Sequence, residues 1–175
     1  MGSVIIRDAT EADAAACAAI YAPYVAQTSV SFEVEPPTPD QMAARIADAA
    51  AQHAWLVLEV DDRVTGYAYA HRFAERAAYR WACEVSIYLE RERHRSGGGR
   101  LLYEALLARL AERGYRRAMA GMTLPNDASA AFHRALGFEP AGVYHRVGWK
   151  NGAWHDVAWV QKTILDADDP PAEPR

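Results

Sequence analysis

Trp-Ala-Cys-Glu-Val-Ser-Ile-Tyr-Leu-Glu-Arg-Glu-Arg-His-Arg-Ser-Gly-Gly-Gly-Arg-Leu-Leu-Tyr, residues 81–103, is the stretch on which the fold of this chain turns. Ala82–Leu89 is rich in β-branched and aromatic residues and predicts a strand. A short basic turn follows at Arg91–Ser96, then three glycines, then a helix-periodic run from about Arg100. Glycines let backbone approach a ligand without a Cβ in the way. A helix start presents unpaired N–H groups and a partial positive charge. Together they make an anion site, with Arg93, His94, Arg95 and Arg100 adding charge around it. The expected occupant is a diphosphate-bearing ligand at Gly97–Gly99. A dinucleotide fingerprint does not fit, because its third glycine position is Leu102, and no Gly-Lys-Ser/Thr follows as a P-loop would need. The plain alternative is a glycine-rich turn that binds nothing.

The rest of the chain limits what such a ligand serves. Its 175 residues suffice for one domain with a sizeable core. A net charge of −4 offers no basic excess for nucleic acid. No apolar run has the length of a membrane span, and the start of the chain lacks the apolar core of a signal peptide. Cys17 and Cys83 stand far apart and are expected to be buried, reduced thiols, consistent with the cytoplasm. The six histidines never group with acids or cysteines at ligand spacing, so no metal is expected.

Working outward from the glycines, the helix should carry Leu101, Leu102, Ala105, Leu106, Leu110 and Ala111 to the core and stop at Gly114. A strand over Tyr115–Met122 follows, then a turn at 124–127 in which Asn126 or Asp127 caps a helix over Ala128–Leu136, with Gly137 as its stop. Phe138–Val147 and Trp154–Leu165 read as strands around an Asn151-Gly152 hairpin. Toward the N-terminus, Val4–Arg7 is a short strand, and Thr10 to Asp13 resembles a capping box. An alanine-rich helix then runs to about Ala22, where Pro23 should interrupt it, with a second short helical turn to Gln27. An extended loop follows, then a helix over Pro39–Ala51 capped by Thr38 or Asp40. Trp55–Val60 and Val64–His71 form a hairpin about Asp61-Asp62, with a bulge expected at Gly66. The order β-α-α-β-β-β-α-β-α-β-β gives an α/β fold, a central mixed sheet flanked by helices, in a single domain over residues 1–165. The acidic, proline-rich residues 166–175 are expected to be disordered.

The glycine loop His94-Arg95-Ser96-Gly97-Gly98-Gly99 resembles the [Q/R]-x-x-G-x-[G/A] loop of the GNAT acetyltransferase superfamily, with His94 in place of the leading Gln or Arg. Asn126 and Leu136-Gly137-Phe138 match that family's closing element. The chain is similar above all to the phosphinothricin and methionine sulfoximine/sulfone acetyltransferase branch. The residues that carry this likeness are 28–32 (Thr-Ser-Val-Ser-Phe), Tyr79-Arg80-Trp81 with Glu84, 124–127 (Leu-Pro-Asn-Asp), and the run from Gly148 to Val157. The resemblance implies a GNAT-type fold with a mostly antiparallel sheet, acetyl-CoA as co-substrate, a small-molecule amine as acceptor, and a homodimer.

The chemistry so implied has two proton problems. An ammonium must lose a proton before its nitrogen attacks, and the departing thiolate must gain one. Glu84, a carboxylate inside an apolar strand, is the candidate base, since burial raises its pKa; the bland alternative has it facing solvent or paired with Arg80. His133 stands where many members of the family have a thiolate-protonating tyrosine and could be acid or base. The resemblance places the pantetheine along the backbone of Ser86, Ile87, Tyr88 and Leu89, and its diphosphate on His94, Arg95, Ser96, Gly97, Gly98, Gly99 and Arg100. Asn126 either holds the pantetheine or simply caps its helix. Acceptor contacts are expected from Phe32, Glu33, Arg72, Arg76, Tyr79 and Arg80, although Glu33 is not the basic residue a phosphinate would call for. A different amine (aminoglycoside, polyamine or protein N-terminus) and a non-catalytic acyl-CoA-binding module are the competing readings.

Overall fold

The computed structural model describes residues 3–93, 97–166 and 169–175. Seven strands form one sheet in the order β1-β2-β3-β4-β5-β7-β6, where β1 is Val4–Asp8, β2 Ala54–Val60, β3 Arg63–Arg72, β4 Ala82–Leu89, β5 Arg117–Thr123, β6 Glu139–Lys150 and β7 Ala153–Thr163. Helices α1 (Ala14–Gln27), α2 (Pro39–Gln52), α3 (Gly98–Glu112) and α4 (Asp127–Ala135) flank it. Every pairing is antiparallel except β4 with β5.

Side-chain alternation divides the sheet into two faces. On one, Ala68, Ala70, Cys83, Val85, Ala118 and Ala120 meet Leu102, Tyr103, Leu106 and Leu110 of α3. On the other, Trp55, Val57 and Tyr67 meet Cys17, Tyr21, Tyr24 and Val25 of α1 and Met42 and Ile46 of α2. The inward set of α3 differs from expectation at three positions: Leu101 is exposed, and Tyr103 and Leu107 are buried. Gly114 ends α3 in a left-handed conformation (φ 93°). Its N–H bonds to Ala111 O and that of Tyr115 to Leu110 O, so Tyr115 closes the helix and β5 starts only at Arg117.

Pro23 does not interrupt the first helix, contrary to the sequence expectation; α1 runs through it to Gln27. Proline inside a helix costs about 3 kcal/mol. Ile20, Tyr21, Tyr24 and Val25 around it are all buried. At about 1.5–3 kcal/mol for each such side chain, burial outweighs the lost bond. The β2–β3 turn is as expected, with Asp61 and Asp62 both at positive φ (51° and 60°). The bulge falls beside Gly66: Leu58 faces Gly66 and Glu59 faces Val64, leaving Thr65 as the extra residue.

The feature that positions the site is the seam between β4 and β5. Only Ala82, Cys83 and Glu84 pair with β5, opposite Arg117, Ala118 and Met119. Beyond Glu84 the two strands diverge, each still paired with its other neighbour. The sheet therefore opens into a V whose apex is Glu84. At the far edge, Val143, Tyr144, Val147, Trp149 and Trp154 leave large apolar side chains exposed. Residues 169–175 carry no helix or strand but touch the body of the protein. Trp81 Nε1 donates to Ala172 O (2.8 Å), and Arg80 forms a bidentate pair with Glu173 (2.6 and 2.6 Å). No helix among the described residues is long and apolar enough to cross a membrane.

Candidate active site

The glycine loop opens onto the V from the end of β4. Gly97 caps α3 at φ +80°, a conformation that L side chains rarely adopt. A Cβ on Gly99 would lie 2.8 Å from Leu89 Cδ1, so the first turn of α3 sits close against β4 and a side chain there would have to turn the Leu89 methyl aside. The N–H groups of that turn have no acceptor within the helix. Of the expected cationic partners, Arg100 is paired with Glu104 (2.8 Å); Arg91, just ahead of the loop, donates to Gln27 (2.9 Å). His94, Arg95 and Ser96 lie outside the described residues.

Register separates the β4 residues by face. Glu84, Ser86 and Tyr88 point to the α1–α2 side, and Ile87 and Leu89 pack with the α3 side. The Leu89 carbonyl accepts a hydrogen bond from the Tyr24 hydroxyl at 2.5 Å. The Glu84 side chain is 27% exposed, and His71 stands directly opposite it on β3, Nε2 to Oε2 3.7 Å. Burial raises the Glu84 pKa, and the nearby His71 partly offsets that. Arg80, the alternative partner raised from the sequence, pairs with Glu173 instead.

His133 lies on the other face. It is buried against Tyr103, Phe132 and Phe138, and the structure does not bring it into contact with Glu84. Nδ1 is 2.8 Å from Ser129 O, so the hydrogen-bond network assigns the proton there, and Nε2 accepts from the Tyr103 hydroxyl at 3.1 Å. Burial lowers its pKa, so the imidazole is held neutral. Tyr103, fully buried and with its own pKa raised by burial, is the partner that sequence spacing did not single out. Asn126 acts as a helix cap, its side chain accepting from Ser129 N at 3.1 Å.

The loop between α1 and α2 covers the Glu84 side, and the β6–β7 hairpin holds it there. Lys150, buried, donates from Nζ to Val25 O (2.7 Å) and Ser31 O (2.6 Å). His155 Nε2 lies 3.2 Å from Ser29 Oγ, and Phe32 lies across Gly148, where any Cβ would collide with its ring. Glu33 is bound to Arg45 (2.5 and 3.1 Å), which holds its carboxyl below the ordinary range. The Tyr21 hydroxyl lies 2.6 Å from Ser31 Oγ. Glu33 therefore belongs to the scaffold of the loop in this structure. Arg72 pairs with Glu75 at 3.3 Å, Phe73 and Tyr79 meet edge to face, and Arg80 stacks over Trp81. Among the described residues Arg76 has no ion-pair partner. Lys150 and His155 were missed because their partners lie more than 100 residues away, and Arg45 and His71 because their contacts depend on how separate elements pack and pair. Only the basic residue inside an otherwise aromatic hairpin motif hinted at Lys150.

A split sheet with a glycine-capped helix at its mouth and a partly buried carboxylate at its apex defines an acyl-transfer enzyme of the GNAT type. The comparisons agree: residues 6–159 match the acetyltransferase (GNAT) domain family, and the chain belongs to it. It is similar to the phosphinothricin N-acetyltransferase of Streptomyces viridochromogenes, 37% identical over 98% of this chain and 92% of the relative. It is also similar to the L-methionine sulfoximine/L-methionine sulfone acetyltransferase of Pseudomonas paraeruginosa, 34% identical over 93% of this chain and 95% of the relative. Among solved structures, a phosphinothricin acetyltransferase from Sinorhizobium meliloti in complex with acetyl-CoA superposes with a TM-score of 0.88 at 32% identity, covering 96% of this chain and 95% of that one. The mostly antiparallel mixed sheet and the GNAT fold expected from the sequence are thereby borne out.

Proposed function

We propose that this protein moves the acetyl group of acetyl-CoA to the amino group of a small, amino-acid-like acceptor of the phosphinothricin, methionine sulfoximine or methionine sulfone type. The observation that carries the reading is Glu84, a carboxylate with a raised pKa at the point where β4 and β5 part. The residues present fit the co-substrate: the tight Gly99–Leu89 approach leaves α3's first amides open to a diphosphate, and the V beyond Glu84 offers unpaired strand backbone to an amide-rich arm. The names of the two curated relatives support the acceptor class. Glu84 takes a proton from the acceptor ammonium, and the freed amine attacks the thioester carbonyl from the α1–α2 side. His133, at the family position on the opposite face, is the proton source for the departing thiolate; its Nδ1–H is the proton available, since Nε2 accepts from Tyr103. Arg76, free of ion pairing among the described residues, is the cation for the acceptor's anionic group, with Tyr79 and Phe32 as its apolar walls. The exposed aromatic hairpin supports a homodimer, and the free thiols Cys17 and Cys83 support a reducing cytoplasm.

The test is acetyl-CoA-dependent thiol release with phosphinothricin, methionine sulfoximine, methionine sulfone, a polyamine and an aminoglycoside. Turnover with the first three is the expected result. Turnover confined to the last two would discard the acceptor class, and acetyl-CoA binding without any release would discard catalysis.

A further inference from the structure

A base that is mostly buried must lose its proton again in every cycle. Glu84 is sunk at the apex of the V, and an acceptor bound above it would close its path to water. Among the described residues its carboxylate has one ion-pair partner, His71, with Nε2 3.7 Å from Oε2; the Tyr69 and Tyr103 hydroxyls also feel its charge, but burial raises the pKa of both. The two are cross-strand neighbours, fixed by the β3–β4 register. His71 Nδ1 is 3.0 Å from Arg72 O, a contact that fixes the proton on Nδ1 and leaves the Nε2 lone pair turned to Glu84. The His71 side chain is 45% exposed, so its ring reaches from the carboxylate to solvent.

We infer that His71 is the proton exit of the active site, a positioning residue that takes from Glu84 the proton the acceptor ammonium has given up and passes it to water. The inference rests on the reading of Glu84 as base. The N–H bond of the ammonium breaks and an O–H bond forms on Glu84. That bond then breaks as an N–H bond forms on His71 Nε2, and the imidazolium releases a proton to solvent. No oxidant or further reactant is needed, and one proton leaves per acetyl group transferred.

The other groups near His71 do not duplicate this path. Arg72 follows it in the chain and is turned to Glu75. Tyr69, two residues earlier on the same face, has its hydroxyl against Ser86 and its pKa raised by burial. His53, at the end of α2, is desolvated, its pKa pushed down to about 4, and remains neutral.

The experiment is the pH profile of kcat for wild type, His71→Ala and His71→Gln, with an amine that the wild type acetylates, and with imidazole added to the variants. Loss of the relay should lower kcat about tenfold or more, less than the ~10²–10⁴-fold expected for removing the base itself. It should move the acid limb to higher pH, because the charge opposing the raised Glu84 pKa is gone. Added imidazole should restore part of the rate, and the KM for acetyl-CoA and the melting temperature should stay as in wild type. Variants with wild-type kcat and pH profile, or a lowered kcat that imidazole does not lift, would overturn the inference while leaving acetyl transfer intact. Wild-type enzyme without thiol release on any amine would overturn it together with the function on which it rests.

Discussion

Replacing Lys150 by Met removes an ammonium and keeps most of the side-chain volume. Lys150 Nζ donates to two carbonyls, Val25 O at 2.7 Å and Ser31 O at 2.6 Å, and the residue is buried. Hydrogen bonds to a charged group contribute about 1.5–3 kcal/mol each, so the two together contribute roughly 3–6 kcal/mol. Relief of the ammonium's desolvation, seen in its lowered pKa, offsets part of this. The net loss should be about 2–4 kcal/mol, which for a chain of this length lowers Tm by about 4–16 °C. The damage should fall on one substrate. Val25 lies in the last turn of α1 and Ser31 stands beside Phe32, so the freed segment is the loop over the Glu84 side, while the glycine loop of α3 is untouched. A displacement of about 1 Å in a positioning element can cost up to ~10²-fold in rate. The assay is steady-state kinetics with each substrate varied in turn, beside a thermal melt. The expected pattern is a rise of tenfold or more in acceptor KM with acetyl-CoA KM unchanged. A lowered Tm with both KM values at wild type would refute the claim that Lys150 shapes the acceptor side.

Glu84→Gln should lower kcat by ~10²–10⁴-fold and flatten its acid limb, read from pH–rate profiles; a profile identical to wild type removes Glu84 as base. His133→Phe should slow turnover without weakening acetyl-CoA binding measured calorimetrically, whereas equal loss of both would make the histidine purely structural. Gly99→Ala should weaken acetyl-CoA binding, because its Cβ would come within 2.8 Å of Leu89 Cδ1 and displace that side chain at the mouth of the V; unchanged affinity contradicts the cradle. The Asp13 pKa is lowered, first by its hydrogen bonds from Arg7 at 2.8 and 2.9 Å. A depressed folded-state pKa adds stability above the unfolded value of about 3.9 that is lost as pH falls through the folded value. Asp13→Asn should therefore cost about 1–2 kcal/mol near neutrality, allowing for the partial exposure of Arg7, and less in acid; a deficit constant from pH 7 to pH 2 argues against the linkage.

The sequence carried the fold well wherever local chemistry decides it. Ala82–Leu89, Gly97 and Gly114 behave as their residue types demand, and the Asp61-Asp62 and Asn151-Gly152 turns take the positive φ angles they announce. It misled at Pro23, where a local penalty is overridden by four buried neighbours that only the tertiary structure reveals. The site was half legible. Glu84 stands out as a charge in an apolar strand, and His133 stands out at a family position, but their partners do not. His71 and Glu84 meet because β3 and β4 pair in one register, and the loop of residues 73–81 between those strands leaves that register open. Glu33 looked like an acceptor ligand because it sits in a loop, and its pairing with Arg45 follows only from how that loop folds back on α2. The Gly148–Val157 motif was recognisable as a pattern, yet its physical use follows only from Lys150, Gly148 and His155 gripping a loop more than 100 residues earlier.

The three-pair seam at β4–β5 divides the sheet into a four-stranded half and a three-stranded half. With so few cross-strand bonds, the halves can separate locally at less cost than either can unravel, a sub-global opening that native-state amide exchange would register at Ala82–Glu84 and Arg117–Met119. A molecule lying in the V would touch both halves and suppress that opening. Saturation at a hundred times its dissociation constant would add about 2.7 kcal/mol, concentrated at the seam. The co-substrate would then serve as a structural rivet in each catalytic cycle, and the resting enzyme would be held most loosely at the residues between which its chemistry takes place.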